Sequence, residues 1–312
     1  MLWSKYKQCL PFHDNLIHPP NTGHKMLPVI IDAKLCKKDE LCVHECPLSV
    51  LTVEEKGLIP TVHPKKTNYC INCGHCMAVC PTGAITLTAF DGQQATPFSK
   101  EELPDSAAVE TLIKTRRSVR KFKKKNISVQ EIGELIHISA YSPSGHNAQP
   151  VSWTVLDTPE KVYELGKVVV EWMEEMVKQK NPLAEKLFLA GLVNAWKKGN
   201  DAICRNAPAI AVAWAPKLGI TPQADTIIAT NTLELAAHAK GYGTCWAGYV
   251  ILAAAYSTKV LRHLDIPEEH MAHGALFLGH PAVRYRSIPP RHEAVAKEQD
   301  GKFIFHARPN TH

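Results

Sequence analysis

Long apolar runs are missing from this sequence: none approaches the ~18 uninterrupted residues that a membrane-spanning helix needs. The opening stretch, MLWSKYKQCLPFHDN, lacks the apolar core of a secretory signal. Both absences lead us to expect a cytoplasmic chain with no membrane partner. An excess of one charge is missing too. The formal balance is +6, with 21% charged and 45% hydrophobic residues, which is ordinary for a globular protein. Anionic cofactors would absorb much of that balance without any nucleic acid being involved. Cysteine, finally, is almost absent beyond residue 80, where only Cys204 and Cys245 occur. Of the ten in the chain, seven crowd into residues 36–80 at the spacings of metal thiolates rather than of a secreted disulfide framework. Thiolate ligands require a reducing compartment. Cys9, Cys204 and Cys245 stand outside the pattern and read as inert thiols.

A length of 312 residues accommodates two domains. Residues 1–28 carry Pro19, Pro20 and Pro28 without periodicity and read as an extension. Residues 29–90 hold short β-like runs (VIID, VLTVE, LIPTV, AITLT) between Cys-rich turns, with EEKG at 54–57 suited to a hairpin. Residues 91–108 have the Gly, Pro, Ser and acid mix of a linker. The remainder, 109–312, alternates helical and apolar strand patterns. Ser128 and Glu131 form a capping-box pair that opens a helix with Ile132, Leu135, Ile136 and Ser139 on one face. PVSWTVLD predicts a strand and TPEKVYELGKVVVEWMEEM a helix with Pro159 in its first turn. APAIAVAWA and HMAHGALFLG predict buried strands, and TIIATNTLELAAHAK and KVLRHLD predict helices. This second domain is α+β or mixed α/β.

The strongest signal is an internal duplication. Cys36, Cys42, Cys46 and Pro47 reappear 34 residues later as Cys70, Cys76, Cys80 and Pro81. The second copy, C-x2-C-x2-C-x3-C-P, delivers three thiolates from one tight turn, which suits a cubane of several irons; zinc usually takes two separated pairs. The segment resembles the two-cluster bacterial ferredoxins over residues 29–88. That resemblance implies one [4Fe–4S] cluster on Cys70, Cys73, Cys76 and the distant Cys46, and a second cluster on Cys36, Cys42 and Cys80. Asp39 stands where the family has a fourth cysteine. A carboxylate is a harder ligand than thiolate, so this site is expected to hold either [4Fe–4S], completed by Asp39 or water, or [3Fe–4S] with Asp39 solvated.

Residues 116–125, RRSVRKFKKK, raise the question of nucleic acid, but no aromatic platform or DNA-binding motif accompanies them. Lys123, Lys124 and Lys125 read as a solvated face. Guanidinium forks flanking a serine hydroxyl suit a phosphate dianion instead. Four stretches, TRRSVRKF, AYSPSGHNAQP, NTLELAAHAKGYGTCWAG and LGHPAVRYRSIPPR, together resemble the nitroreductase family over residues 109–300. The resemblance implies an α/β domain with a central, mainly antiparallel sheet flanked by helices, and FMN at a homodimer interface. Arg116, Arg117, Ser118 and Arg120 would grip the FMN phosphate and ribityl chain or pyrimidine edge, and Arg291 would return to the phosphate, with Arg284 and Arg286 as substitutes. Pro143, Ser144, Gly145, Asn147 and Gln149 would reach the flavin, partly from the partner subunit. Trp246, Ala247 and Gly248 would pass the ring and aim a backbone N–H near N5. Val151 follows the Gln-Pro pair where the family often has Trp, and Trp153 comes two residues later.

No protein side chain stands out as a catalytic acid, which is consistent with chemistry carried by the flavin. The expected function is an oxidoreductase. Electrons pass from a low-potential donor, such as reduced ferredoxin or secondarily NAD(P)H, through the clusters to FMN. They leave to a small organic acceptor: a nitroaromatic, quinone, activated alkene or halogenated aromatic. The alternative is a non-catalytic carrier that relays electrons to a partner enzyme. A nucleic-acid-binding protein with a structural cluster is the third reading, and it predicts steep salt dependence and no flavin.

Overall fold

The computed structural model describes residues 27–292 and 294–306. The expected extension, apart from Leu27 and Pro28, lies outside the described residues, as does Cys9. The N-terminal module runs β1 (Val29–Ile31), α1 (Leu41–His44), β2 (Leu51–Thr52), β3 (Thr61–Val62), α2 (His75–Val79) and β4 (Ile85–Leu87). β1 and β4 pair antiparallel, tying the two ends of the module together, and β2 and β3 form the expected hairpin. Gly57 turns that hairpin at φ +85°, a conformation that costs glycine little. The module's core is small: Val29, Leu51, Met77, Ile85 and Leu87 pack with Cys42 and Cys76.

Between the domains, α3 (Ser106–Thr115) begins inside the stretch that reads as linker. Asp105 starts it by accepting a hydrogen bond from Ala108 N at 2.7 Å, the local capping that Asp supplies at a helix N-terminus. α4 (Val129–Ser139) carries the full capping box, with Glu131 N on Ser128 Oγ and Ser128 N on Glu131 Oε2. There follow β5 (Ser152–Leu156), α5 (Pro159–Lys178), α6 (Pro182–Lys186), α7 (Leu189–Lys197), β6 (Ala209–Pro216) and α8 (Pro222–Ala239). The chain continues as β7 (Gly243–Trp246), α9 (Gly248–Tyr256), α10 (Thr258–His263), β8 (His270–Gly279), β9 (Val295–Gln299) and β10 (Lys302–His306).

The central sheet has the order β5-β6-β8-β7, and every neighbouring pair in it is antiparallel. Strand alternation sends Ala209 and Ala211 to one face, against Leu135 of α4 and Leu233 of α8. Ile210 and Val212 go to the other, against Leu165 and Val169 of α5 and Val250 of α9. Burial on both faces explains why β6 reads as a continuous apolar run. The result is a helix–sheet–helix sandwich with β7 at one edge. No described helix is long and apolar enough to cross a membrane.

Candidate functional site

The 34-residue duplication extends to the backbone. Lys38, Glu40 and Ser49 have left-handed φ of 61°, 62° and 51°, and their counterparts Asn72, Gly74 and Gly83 have 51°, 74° and 63°. Glu40 and Gly74 each open a short helix, and these helices carry Cys42 and Cys76. Each copy then ends on a Cys-Pro whose sulfur accepts a backbone N–H four residues on: Cys46 from Val50 at 3.2 Å and Cys80 from Ala84 at 3.3 Å. Such bonds favour a thiolate. At Cys80 burial pulls the pKa up, but the donors at Thr82, Ala84 and Gly83 outweigh it and the thiol is lowered.

These turns gather the candidate ligands into two groups that cross between copies. Cys70, Cys73 and Cys76 line one small void with Cys46, which comes from the other repeat. Cys36, Cys80 and Asp39 all lie in the electrostatic field of Cys42. Burial first, and then those neighbours, push Cys42 up to about 11; burial, Cys70 and Cys73 push Cys76 up to about 12. Clusters would compensate these crowded, buried sulfurs by displacing their protons. Among the described residues no three His, Cys, Asp or Glu side chains converge on a point as one metal ion requires. Asp39 differs from its counterpart Cys73: it is exposed, and its Oδ1 accepts Leu41 N at 3.2 Å.

In the larger domain, the segment after α3 pairs with the free edge of β7 at Ser118 and Val119 and, through residues 121–123, with residues 280–282, just past β8. Val119 N donates to Thr244 O at 2.7 Å, Ser118 bridges Thr244 in parallel, and Lys123 N donates to His280 O at 2.8 Å. A Cβ on Gly243 would come within 2.8 Å of Val119, so glycine permits this close approach. An extended segment splits its side chains by parity. Arg117 and Val119 face a cavity of about 550 Å3 whose other walls include Tyr242, Arg284 and Arg286. Arg116 and Arg120 lie instead around Cys245, joined by Arg205, which the sequence reading did not single out. Arg291 is exposed, with its Nη1 on Pro290 O at 3.2 Å, and does not line that cavity. Lys123, Lys124 and Lys125 are exposed, as expected of a solvated face.

Glu234 of α8, 2% exposed, organises the arginine face. It accepts Arg116 Nη1 at 3.0 Å, Thr244 Oγ1 at 3.3 Å and Trp246 Nε1 at 3.0 Å, tying the segment, α8 and β7 to one carboxylate. Among the described residues Arg117, Arg120, Arg205, Arg284 and Arg286 have no carboxylate partner. Unpaired guanidinium groups of this kind are what an anionic ligand requires. Ala247 is buried and spends its N–H on Ala275 O at 2.9 Å, so the unpaired N–H groups of this turn fall at the start of α9, on Gly248 and Tyr249. Cys204 and Cys245 are buried, and burial raises both thiols, as expected of inert cysteines.

The loop 143–149 carries left-handed φ at His146, Asn147 and Gln149, of 52°, 54° and 46°. Gly145 anchors it through its N–H on Asp225 Oδ1 at 3.1 Å; a Cβ there would sit 2.3 Å from Thr221 Oγ1. Among the described residues the Oδ2 of the buried Asp225 has no partner. Gln149 N donates to Ser144 Oγ and its Nε2 to Asn147 Oδ1. Asn147 in turn donates to Ile71 O and Asn72 O, each at 3.1 Å.

Residues 113–280, more than half of the chain, match the family model "Nitroreductase family". The chain belongs to the nitroreductase family. Residues 34–85 of this nitroreductase match the 4Fe-4S dicluster domain, in agreement with the two crossed ligand sets. An uncharacterized ferredoxin of Methanocaldococcus jannaschii is 38% identical over 61 residues, 19% of this chain and 92% of that one. An iodotyrosine deiodinase of Nematostella vectensis is 27% identical over 131 residues, 41% of this chain; the match spans about half, 48%, of the deiodinase. A Bacteroides fragilis nitroreductase solved with bound FMN is 21% identical, with a TM-score of 0.47, covering 60% of this chain and 96% of that chain.

Proposed function

We propose that this nitroreductase binds FMN and two iron–sulfur clusters and reduces a small organic acceptor with electrons from a low-potential donor, reduced ferredoxin first and NAD(P)H second. The observation that carries the reading is the presence, in one chain, of two cluster-type cysteine groups and of five arginines, Arg117, Arg120, Arg205, Arg284 and Arg286, that have no carboxylate partner among the described residues. Bound clusters would supply one-electron transfer and bound FMN the conversion to a two-electron reduction. Arg120 and Ser118, with Arg116 fixed by Glu234, hold the phosphate; Arg117, Arg284 and Arg286 are the cations of the neighbouring cavity. A Cβ on Gly248 would meet nothing within 4 Å, which leaves the start of α9 open to a planar ring. One ligand set is all cysteine; the other would hold [4Fe–4S] completed by Asp39 or water, or [3Fe–4S] with Asp39 solvated.

The reading includes a homodimer. Tyr141 is 82% exposed two residues before the 143–149 loop, and Ile220, which abuts Gly145, is 50% exposed. Ile227 and Ile228 on α8 extend this uncovered apolar surface, the kind that a second copy buries. Loop residues Pro143, Ser144 and Gly145 would then reach the partner's flavin. For the acceptor, nitroaromatics, quinones and activated alkenes form the first panel. Halogenated aromatics, already among the expected acceptors, join it, and the deiodinase relative supports their inclusion.

Anaerobic purification with iron, sulfide and FMN quantified, followed by reduction with ferredoxin and addition of each acceptor, tests the proposal. Iron and FMN together, with turnover of a small acceptor, support it. Iron without FMN sinks the reductase reading, and full loading with reduction of a protein acceptor alone favours the carrier.

A further inference from the structure

Among the described residues, the hydrogen bonds that cross from residues 27–90 to the nitroreductase domain both come from Asn147 Nδ2. They end on Ile71 O and Asn72 O, the carbonyls between Cys70 and Cys73, two ligands of the all-cysteine set. The Asp39 set makes no such bond among the described residues. Asn147 is also held from its own side. Its Oδ1 accepts Gln149 Nε2 at 3.1 Å, which leaves the Nδ2 hydrogens facing the cysteine loop. Its left-handed backbone follows that of His146, and Gln149, after the right-handed Ala148, is left-handed again; non-glycine residues persist in that conformation only where their surroundings impose it. Gly145, two residues earlier, is pinned to Asp225. The Asn147 side chain thus reaches the loop between Cys70 and Cys73.

We propose that Asn147 is the positioning residue that seats the cysteine module on the flavin loop, so that the all-cysteine cluster passes electrons to FMN and the Asp39 set lies upstream. The proposal rests on the reading of the chain as an FMN and cluster reductase. A side chain bonded to both carbonyls of a ligand turn fixes the separation of that cluster from the loop, and a packed, hydrogen-bonded contact is the element through which two sites couple. Two molecules of reduced ferredoxin each give one electron, and two protons from water complete the conversion of FMN to its dihydro form.

Asn147→Asp keeps the shape but replaces two N–H donors with a carboxylate facing two carbonyls. In stopped-flow reduction by ferredoxin, its clusters should bleach at the native rate while flavin reduction slows at least tenfold. Asn147→Gln, which retains the amide, should recover part of that loss. If the loaded Asp variant reduces its flavin at the native rate, the inference is overturned. A measurement on the unaltered chain guards against misfolding of the variant. Stripping the clusters anaerobically should raise amide exchange in residues 143–149, and unchanged exchange there also overturns the seat. Native protein that carries no FMN or no iron defeats the underlying reading instead, so the two failures are distinguishable.

Discussion

The core of residues 29–90 comprises seven buried side chains, two of which, Cys42 and Cys76, belong to the ligand sets. The nitroreductase domain packs twenty-six buried residues on one face of its sheet alone. At ~1.5–3 kcal/mol for each large apolar side chain, the domain can offset its chain entropy by burial and the module cannot. Small folds of this kind need a staple, and bound iron–sulfur clusters would supply one. Within the module the contrast recurs between copies. The second places glycine at two of its three left-handed positions and cysteine at 73; the first makes the same turns with Lys38, Glu40 and Ser49 and has Asp39. Identical backbone geometry therefore comes at a higher local cost in the copy with fewer thiolates.

Removing the iron should give the largest effect. Anaerobic chelation is expected to unfold residues 29–90 while the domain stays folded, so that limited proteolysis cuts the module first and a separate thermal transition survives. Iron should leave the Asp39 set before the all-cysteine set. Simultaneous melting of both domains would break the comparison. Next in size is Glu234→Ala. It removes the acceptor shared by Arg116, Thr244 and Trp246 and should destabilise the domain by about 3 kcal/mol, the lower end for a broken buried pair because Arg116 keeps some access to water. Denaturant titration of the domain's transition would measure this, with the cluster content as an internal control that should not change.

A smaller effect should separate the two copies. A Cβ on Gly74 would touch only Phe90, at 4.0 Å, so Gly74→Ala carries the left-handed strain and little steric conflict. It should cost the loaded module about 1 kcal/mol. At the counterpart, Glu40→Ala keeps a side chain in a conformation that one already occupies and loses only the exposed bond from Gly57 N to Oε1 at 3.3 Å, so it should move stability by less than ~0.5 kcal/mol. Equal effects at both sites, read from the denaturant midpoint, would show that the copies do not differ in local strain.

How far the sequence foretells these features depends on how local their causes are. The period of 34 residues carries the left-handed positions with it, because a turn's φ and ψ follow from its own residues. The Ser128–Glu131 box and the strands β6 and β8 are legible for the same reason: capping and alternation are near-neighbour patterns. α3 was hidden in a linker composition although Asp105 marks its start. Glu234 looks like one polar residue on a helix, and only the three donors, Arg116 from the segment after α3 and Thr244 and Trp246 from β7, reveal its role. Likewise no local pattern ties Asn147 to Ile71 and Asn72, more than seventy residues away. Parity along the 116–120 segment was available, yet which face meets the cavity depends on the β7 edge.

The domain's response to pH sharpens the contrast, since the module depends on thiolates and the domain on one well-bonded carboxylate. Tyr242 OH donates to Glu131 Oε1 at 2.6 Å, and the Ser128 hydroxyl and N–H bond to Oε2. Those donors, Tyr242 first, lower Glu131 from 4.5 to about 2. A depressed carboxylate contributes stability that is complete above its unfolded value and is lost as pH falls toward about 2, because only the unfolded chain gains the proton in that window. The same hydrogen bond raises Tyr242 from 10.0 to about 12, which adds stability below 10 that fades as pH rises through that range. Glu131→Gln should therefore flatten the domain's stability profile at both ends while leaving pH 7 the region of highest stability. Unfolding midpoints at pH 3, 7 and 11 would check it. A slope that flattens at the acid end alone would mean that Tyr242 has another acceptor, and that α4 and the wall of the arginine cavity are not joined through this carboxylate.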